Sequence, residues 1–207
     1  MIRRIALVSL LAGVSALVPS FAHADSALMH PDSLKAKAPA SYRVAFKTTA
    51  GNFTVAVTRA WAPIGADRFY NLVKHGYFNG ESFFRVVPGF VVQFGLSGNA
   101  TLNTVWPTAS IQDDPVKQTN AAGTLSFADS GPNSRTTQLF INLGDNARLD
   151  GMGFAPFGKI VSGMDAVKKI YSGYGETPDQ AQITASGDTY LKANFPHLDR
   201  IISARIQ

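Results

Sequence analysis

The stretch SFFRVVPGFVVQFG, residues 82–95, places one arginine, Arg85, inside an apolar run and one glutamine, Gln93, eight residues on in a second. Strand-like segments of this kind hide hydrocarbon. A guanidinium, which does not lose its proton, is costly there unless its charge is used. The pair supplies a permanent cation with a fork of donors, and a neutral amide that both donates and accepts. Little else in the chain is reactive. There is no cysteine, which excludes disulfides, thiolate nucleophiles and cysteine metal sites. The four histidines, His23, His30, His75 and His197, are too scattered for any short metal-ligand spacing.

Other patterns carry less. Asp113-Asp114 could suggest a cation site, but reads better as a solvated turn before Pro115. GMGFAPFG is not a dinucleotide loop, because its third glycine is too far along and a strand follows rather than a helix. GLSG at 95–98 lacks the second flanking residue of a nucleophile elbow. NFT at 52 and NAT at 99 are sugar-acceptor patterns, relevant only in a eukaryotic secretory pathway.

The elements that must position Arg85 and Gln93 belong to a chain of 207 residues, 45% hydrophobic and 16% charged, a composition that suits one globular domain. Residues 1–24 stand apart. A basic MIRR, the apolar run IALVSLLAGVSALV and the small residues of AHA before Asp25 read as a secretory signal peptide, the alternative being an uncleaved membrane anchor. The mature protein is therefore expected to be periplasmic or secreted, with no stable membrane span. Removing Arg3 and Arg4 takes the net charge from +5 to +3. The remaining basic residues are dispersed, so no nucleic acid partner is indicated. Residues 25–40, DSALMHPDSLKAKAPA, lack periodicity and are expected to form a disordered tail, with the domain proper over 41–207.

Within that domain, YRVAFKT and FTVAV alternate on either side of a turn and predict a β-hairpin. A helix follows, with Pro63 in its first turn, Ala66, Phe69, Tyr70 and Val73 at helical spacing, and Gly76 at its end; His75 reads as a helix-end cation. Strands are expected at 82–87 and 90–95 around the Pro88-Gly89 turn, and again at GTLSFA, QLFINLG, FAPFGKIV and IISARI. A short helix is expected at MDAVKKIY, and 96–122 is a long loop of open purpose, suited either to shape the edge of a groove or to contact a partner. Many short strands with two helices suggest an all-β barrel or sandwich with helical plugs.

Three ordered blocks then resemble one family, the cyclophilins. GYFNGESFFRVVPGFVVQFG is similar to its strand-turn-strand signature, through Phe84, Arg85, Val86, Val87, Phe90, Gln93 and Gly95. GTLSFADSGPNSRTTQLFINL resembles a second family segment. LDGMGFAPFGKIVSGMDAVKKI resembles the stretch where a Leu-Asp-Gly turn leads into a strand and a helix. The resemblance covers about residues 41–207. It implies a mainly β fold, a closed eight-stranded antiparallel barrel capped by two α-helices. It also implies a peptidyl-prolyl cis/trans isomerase that needs no cofactor and no metal. By resemblance Arg85 is the principal catalytic residue, assisted by Gln93, whose amide binds substrate backbone. Phe90, Phe140 and Leu149 hold the proline ring, and Val91, Ala128, Asp129 and Gln138 line the groove beside them. The implied partners are unfolded or partly folded proline-containing polypeptides, met by a monomer.

The chemistry agrees with the residues. An X–Pro bond resists rotation by about 18–20 kcal/mol because the amide is conjugated, and exchanges spontaneously in about tens to hundreds of seconds. Acceleration to milliseconds needs about 5–7 kcal/mol of preferential binding to the twisted amide, with no bond broken. Departures from the family pattern touch the ligand more than the catalysis. Arg148 stands where many members have Trp, so weak cyclosporin binding is expected. Gly153 or Phe154 occupies the neighbourhood of a groove histidine, Phe154 being suited to take over its packing. Asp129 replaces Asn. A non-catalytic proline-peptide binding or chaperone module using the same groove is the rival reading.

Overall fold

The computed structural model describes residues 26–207, so the expected leader and Asp25 lie outside the described residues. The hairpin forms from β1 (Ser41–Thr48) and β2 (Gly51–Thr58) in full antiparallel register, which sets Phe46 opposite Phe53 with the rings stacked 4.7 Å apart. Helix α1 (Pro63–Lys74) starts at its proline and buries Ala66, Phe69, Leu72 and Val73. His75 is its C-cap, followed by Gly76 in the left-handed region at φ 73°. Next come β3 (Arg85–Val87), β4 (Val91–Phe94), α2 (Ala100–Val105), β5 (Thr124–Phe127) and β6 (Leu139–Asn142). The chain ends with β7 (Gly158–Ser162), α3 (Met164–Lys168), α4 (Gln180–Asn194) and β8 (Ile201–Ile206).

The strands form one antiparallel sheet in the order β3-β4-β6-β5-β7-β2-β1-β8. It curls around a core of Phe46, Phe69, Phe78, Phe94, Phe127 and Phe157. The expected closed barrel is corrected to a half-barrel, because β3 and β8 remain edges. Val86, in β3, gives its N–H to Gly175 of the segment after α3, at 3.1 Å, rather than to β8. Hydrogen bonds between 80–83 and 199–201 bridge only part of the gap. Two capping helices were expected; among the described residues there are four. Helix α4 escapes notice because Gly187 (φ 52°) breaks its regular dihedrals and only Ile183, Gly187 and Leu191 are buried.

The expectation of a disordered tail also fails over 26–40. Leu28 is buried in the main core, the Ala38 N–H donates to Asp67 at 2.9 Å, and Asn71 donates to the Ala36 carbonyl at 2.7 Å. One buried leucine and side chains of α1 supply the partners that a polar segment lacks by itself.

Of the pair expected to form a solvated turn, Asp113 is exposed but Asp114 is not. Asp114 is buried and accepts the N–H groups of Ile64 (2.9 Å) and Gly65 (2.8 Å), orphan donors at the start of α1, where Ala62 has no capping side chain. It also accepts from both terminal nitrogens of the buried Arg135 at 3.1 Å, and Asp113 lies 3.2 Å from the same guanidinium. Part of the long 96–122 segment thus caps a helix from a distance. Asp114→Ala leaves two amides without their acceptor and the buried Arg135 guanidinium with only Asp113 and the Gln112 carbonyl, and is expected to destabilise the fold by about 3 kcal/mol or more, measured by urea unfolding.

Glu81 is fully buried, and neither carboxyl oxygen meets a hydrogen-bond donor at proper geometry. Burial pushes its carboxyl well above the usual carboxylate range; the charge of Asp188 adds to this, and the Gly95 amide opposes it without offsetting it. The folded state therefore retains a proton that the unfolded chain loses near pH about 4.3. Its favourable contribution is complete below that pH and disappears as pH rises toward the folded-state value. Glu81→Gln, which needs no proton, is expected to match the parent in thermal melts near pH 4 and to melt at least about 3 °C higher at pH 8.

Candidate functional site

The turn Val87-Pro88-Gly89-Phe90, closed by the Phe90 N–H on the Val87 carbonyl at 2.9 Å with Gly89 at φ 75°, sets the register of β3 on β4. Arg85 then lies opposite Gln93, and Gln93 opposite Phe140 on β6. Residues opposite one another in an antiparallel pair share a face. Arg85, Gln93 and Phe140 therefore form a row on the outer face, while Val86, Val92 and Ile141 of the other parity belong to the core.

Hydrogen bonds run along this row. Arg85 Nη1 donates to Gln93 Oε1 at 3.1 Å, and Gln93 Nε2 donates to Gln138 Oε1 at 2.8 Å. The Arg85 guanidinium carbon lies 5.7 Å from the centre of the Phe90 ring. Beside it Val91, Phe140 and Leu149 form a separate apolar cluster, with Phe90, Ala128 and Phe154 packed against it. Phe154 meets Phe140 edge-on at 5.5 Å, the packing role expected of it. All nine residues singled out in the sequence line one open cavity of about 800 Å³. Asp129 sits at its polar end, where its carboxylate accepts the Gly131 N–H at 3.2 Å; burial pushes that carboxyl above its ordinary value.

The pocket is held from behind by a buried amide network. Asn146 donates to the Phe90 carbonyl at 2.9 Å and to Asn142 at 2.8 Å; Asn142 donates to Asn120 at 3.2 Å. Asn120 in turn donates to Asp150 at 2.7 Å and to the Phe154 carbonyl at 2.8 Å. Phe90 and Phe154, far apart in sequence, are thus fixed to one frame. Gly95, at φ 107°, allows β4 to end against the next wall. A Cβ there would fall 2.3 Å from the Thr137 carbonyl oxygen and 2.6 Å from the Gln138 Cα, displacing the glutamine that Gln93 grips.

Three features complete the site, of which the sequence offered only Arg148 and the 96–122 segment, the latter as an edge of the groove or a partner contact. Glu176 pairs with the Nε side of Arg85 at 2.6 Å. Arg148, marked only as a departure, also lies over Phe90, its guanidinium carbon 4.8 Å from that ring. The far wall of the cavity comes from Trp106, Pro107 and Ser110 of the 96–122 segment and from Gln180 and Thr184 of α4. Glu176 is 91 residues from Arg85 along the chain, in a polar turn, and no local pattern points to it.

The site is a cation held beside an apolar cluster at the wall of an open cavity, with neutral amides next to it. Such a site can hold a peptide carbonyl and favour charge displacement without proton transfer. Comparison with known proteins agrees. Residues 43–188 match the family model described as cyclophilin type peptidyl-prolyl cis-trans isomerase/CLD. A peptidyl-prolyl cis-trans isomerase of Acinetobacter baylyi is 38% identical over 148 residues, 66% of this chain and 76% of that protein. Peptidyl-prolyl cis-trans isomerase A of Dickeya dadantii is 39% identical over 149 residues, 67% and 78% of the two chains. Among solved structures, a cyclophilin type isomerase of Cryptosporidium parvum superposes with a TM-score of 0.60 at 19% identity, over 81% of this chain and 98% of that one. With the half-barrel and these relatives in agreement, the chain belongs to the cyclophilin-type peptidyl-prolyl cis-trans isomerases.

Proposed function

We propose that Arg85 is the electrostatic catalyst of this isomerase, that Phe90, Val91, Phe140 and Leu149 hold the substrate proline, and that Gln93 and Gln138 position the peptide. The observation that carries this is the placement of the Arg85 guanidinium beside the Phe90 ring, at 5.7 Å, while bonded to Gln93. A twisted X–Pro amide loses conjugation, and its nitrogen gains lone-pair character. N–H donors next to the proline carbonyl favour that state over either planar isomer. Apolar walls exclude water and strengthen the field of the guanidinium. Ala128 and Asp129 border the path of the preceding residues.

The substrates are proline-containing segments of unfolded or partly folded chains, and the reaction speeds folding steps limited by X–Pro exchange. A Cryptosporidium parvum relative solved in the presence of the dipeptide Ala-Pro supports proline peptides as the ligand class. The basic start, apolar run and AHA of residues 1–24 support action in the periplasm or outside the cell, and dispersed basic charge supports the absence of a nucleic-acid partner.

Arg85→Ala is expected to lower kcat/KM at least about tenfold, a loss of about 1.4 kcal/mol of transition-state stabilisation, in a protease-coupled assay on a proline peptide. Parent-like activity of that variant would defeat the assignment, and peptide binding with no acceleration, read by NMR exchange spectroscopy, would select a binding module instead. Arg148 places a cation over Phe90 where many relatives carry an indole, so cyclosporin is expected to bind with a Kd above about 1 μM by isothermal titration; submicromolar binding would contradict this.

A further inference from the structure

The segment between α3 and β8 brings a carboxylate to Arg85, and we infer that Glu176 is a positioning residue of the isomerase, holding the guanidinium plane so that its free edge meets the substrate. This rests on the reading of Arg85 as the catalyst. Glu176 Oε1 accepts from Arg85 Nε at 2.6 Å and also contacts Nη2, so one oxygen occupies the notch between the two nitrogens. On the other side Nη1 donates to Gln93 at 3.1 Å. A guanidinium is rigid and planar. Gln93 alone leaves it free to swing about one contact; two contacts on separate edges fix both its place and its plane. One N–H on each terminal nitrogen remains for a substrate carbonyl.

The contact is built into the backbone on both sides. Val86, next after Arg85, donates its N–H to the carbonyl of Gly175, the residue before Glu176, at 3.1 Å. Glu176 lies in a turn closed by the Thr177 N–H on the Tyr174 carbonyl at 2.9 Å, with Gly175 in the left-handed region at φ 54°. Tyr174 packs edge-on against Phe195 at 5.1 Å. Phe195, with Ile183, Leu191 and Leu198, builds a second small core around Phe84, the neighbour of Arg85 on its other side. Turn and strand are locked together before and after the ion pair. The Glu176 side chain is 61% exposed, so the pair adds little to folding stability. Its consequence is orientation.

The test uses Glu176→Ala, Glu176→Gln and Arg85→Ala in the full chain, with kcat and KM on a proline peptide resolved by NMR exchange. Glu176→Ala is expected to lower kcat by about three- to tenfold with KM little changed. Glu176→Gln keeps an oxygen in the notch and is expected to restore at least half of the lost rate. The Arg85 Nε–H resonance should shift upfield and exchange faster with water in Glu176→Ala but not in Glu176→Gln. Unchanged or faster turnover in Glu176→Ala, a loss confined to KM, a Gln variant as slow as the Ala variant, or an unmoved Nε–H resonance would each overturn the inference. Any of these alongside an inactive Arg85→Ala leaves the catalytic role of Arg85 standing, whereas an active Arg85→Ala removes that role itself.

Discussion

The register that sets Arg85 opposite Gln93, and Gln93 opposite Phe140, is the constraint on which the groove depends. Side chains on a strand alternate between faces, so a slip of one residue would send the guanidinium into the aromatic core and turn Val86 and Val92 outward. β3 has only three residues and cannot defend its register by length. The Pro88-Gly89 turn does so instead, because proline fixes the first central position and glycine alone readily takes the left-handed second. A two-residue turn thus decides on which side of the sheet the cation appears.

Holding a cation at the mouth of an apolar pocket needs a frame that is both dry and polar. Asn120, Asn142 and Asn146 meet this demand by satisfying one another and the backbone of Phe90 and Phe154. A network of this kind is costly when half-satisfied, so it rigidifies what it touches. The ring face of the pocket is fixed by amides behind it rather than by the barrel core, from which it is a separate cluster. On the other side, Phe84 anchors the small core formed with α4 and the segment after it. Arg85 therefore stands between two packed bodies, one on each side of its strand.

What could be read in the sequence was local. Arg85 and Gln93 are eight residues apart across one turn, α1 announces itself by Pro63 and Gly76, and the hairpin strands alternate plainly. What escaped was set by partners distant along the chain. Asp113-Asp114 before Pro115 looks like a wet turn, because the amides and guanidinium that bury Asp114 lie 49, 50 and 21 residues away. Residues 26–40 look like a tail because Asp67 and Asn71, which order them, belong to a helix. Helix α4 is masked by Gly187, whose close approach to Gly98 leaves no room for a Cβ, since one would fall 2.2 Å from the Gly98 carbonyl oxygen. The expected closure of the sheet fails for the same reason: Gly175, not β8, takes the exposed edge of β3.

The residue type at position 85 follows from the number of things it must do at once. The side chain lies within reach of the Phe90 ring, gives one nitrogen to Gln93, and takes a carboxylate oxygen into the notch on its opposite edge. In the role proposed for it, donors must still remain for a carbonyl that arrives from the groove. A lysine ammonium has three donors and no plane; two would be spent on Gln93 and Glu176, and the third could point in any direction that rotation allows. The guanidinium spreads one charge over a rigid fork, so contacts on two edges orient the donors on the third. In the proposed mechanism charge and direction are then delivered together, which rotation about a bond demands when no proton moves and no covalent intermediate forms.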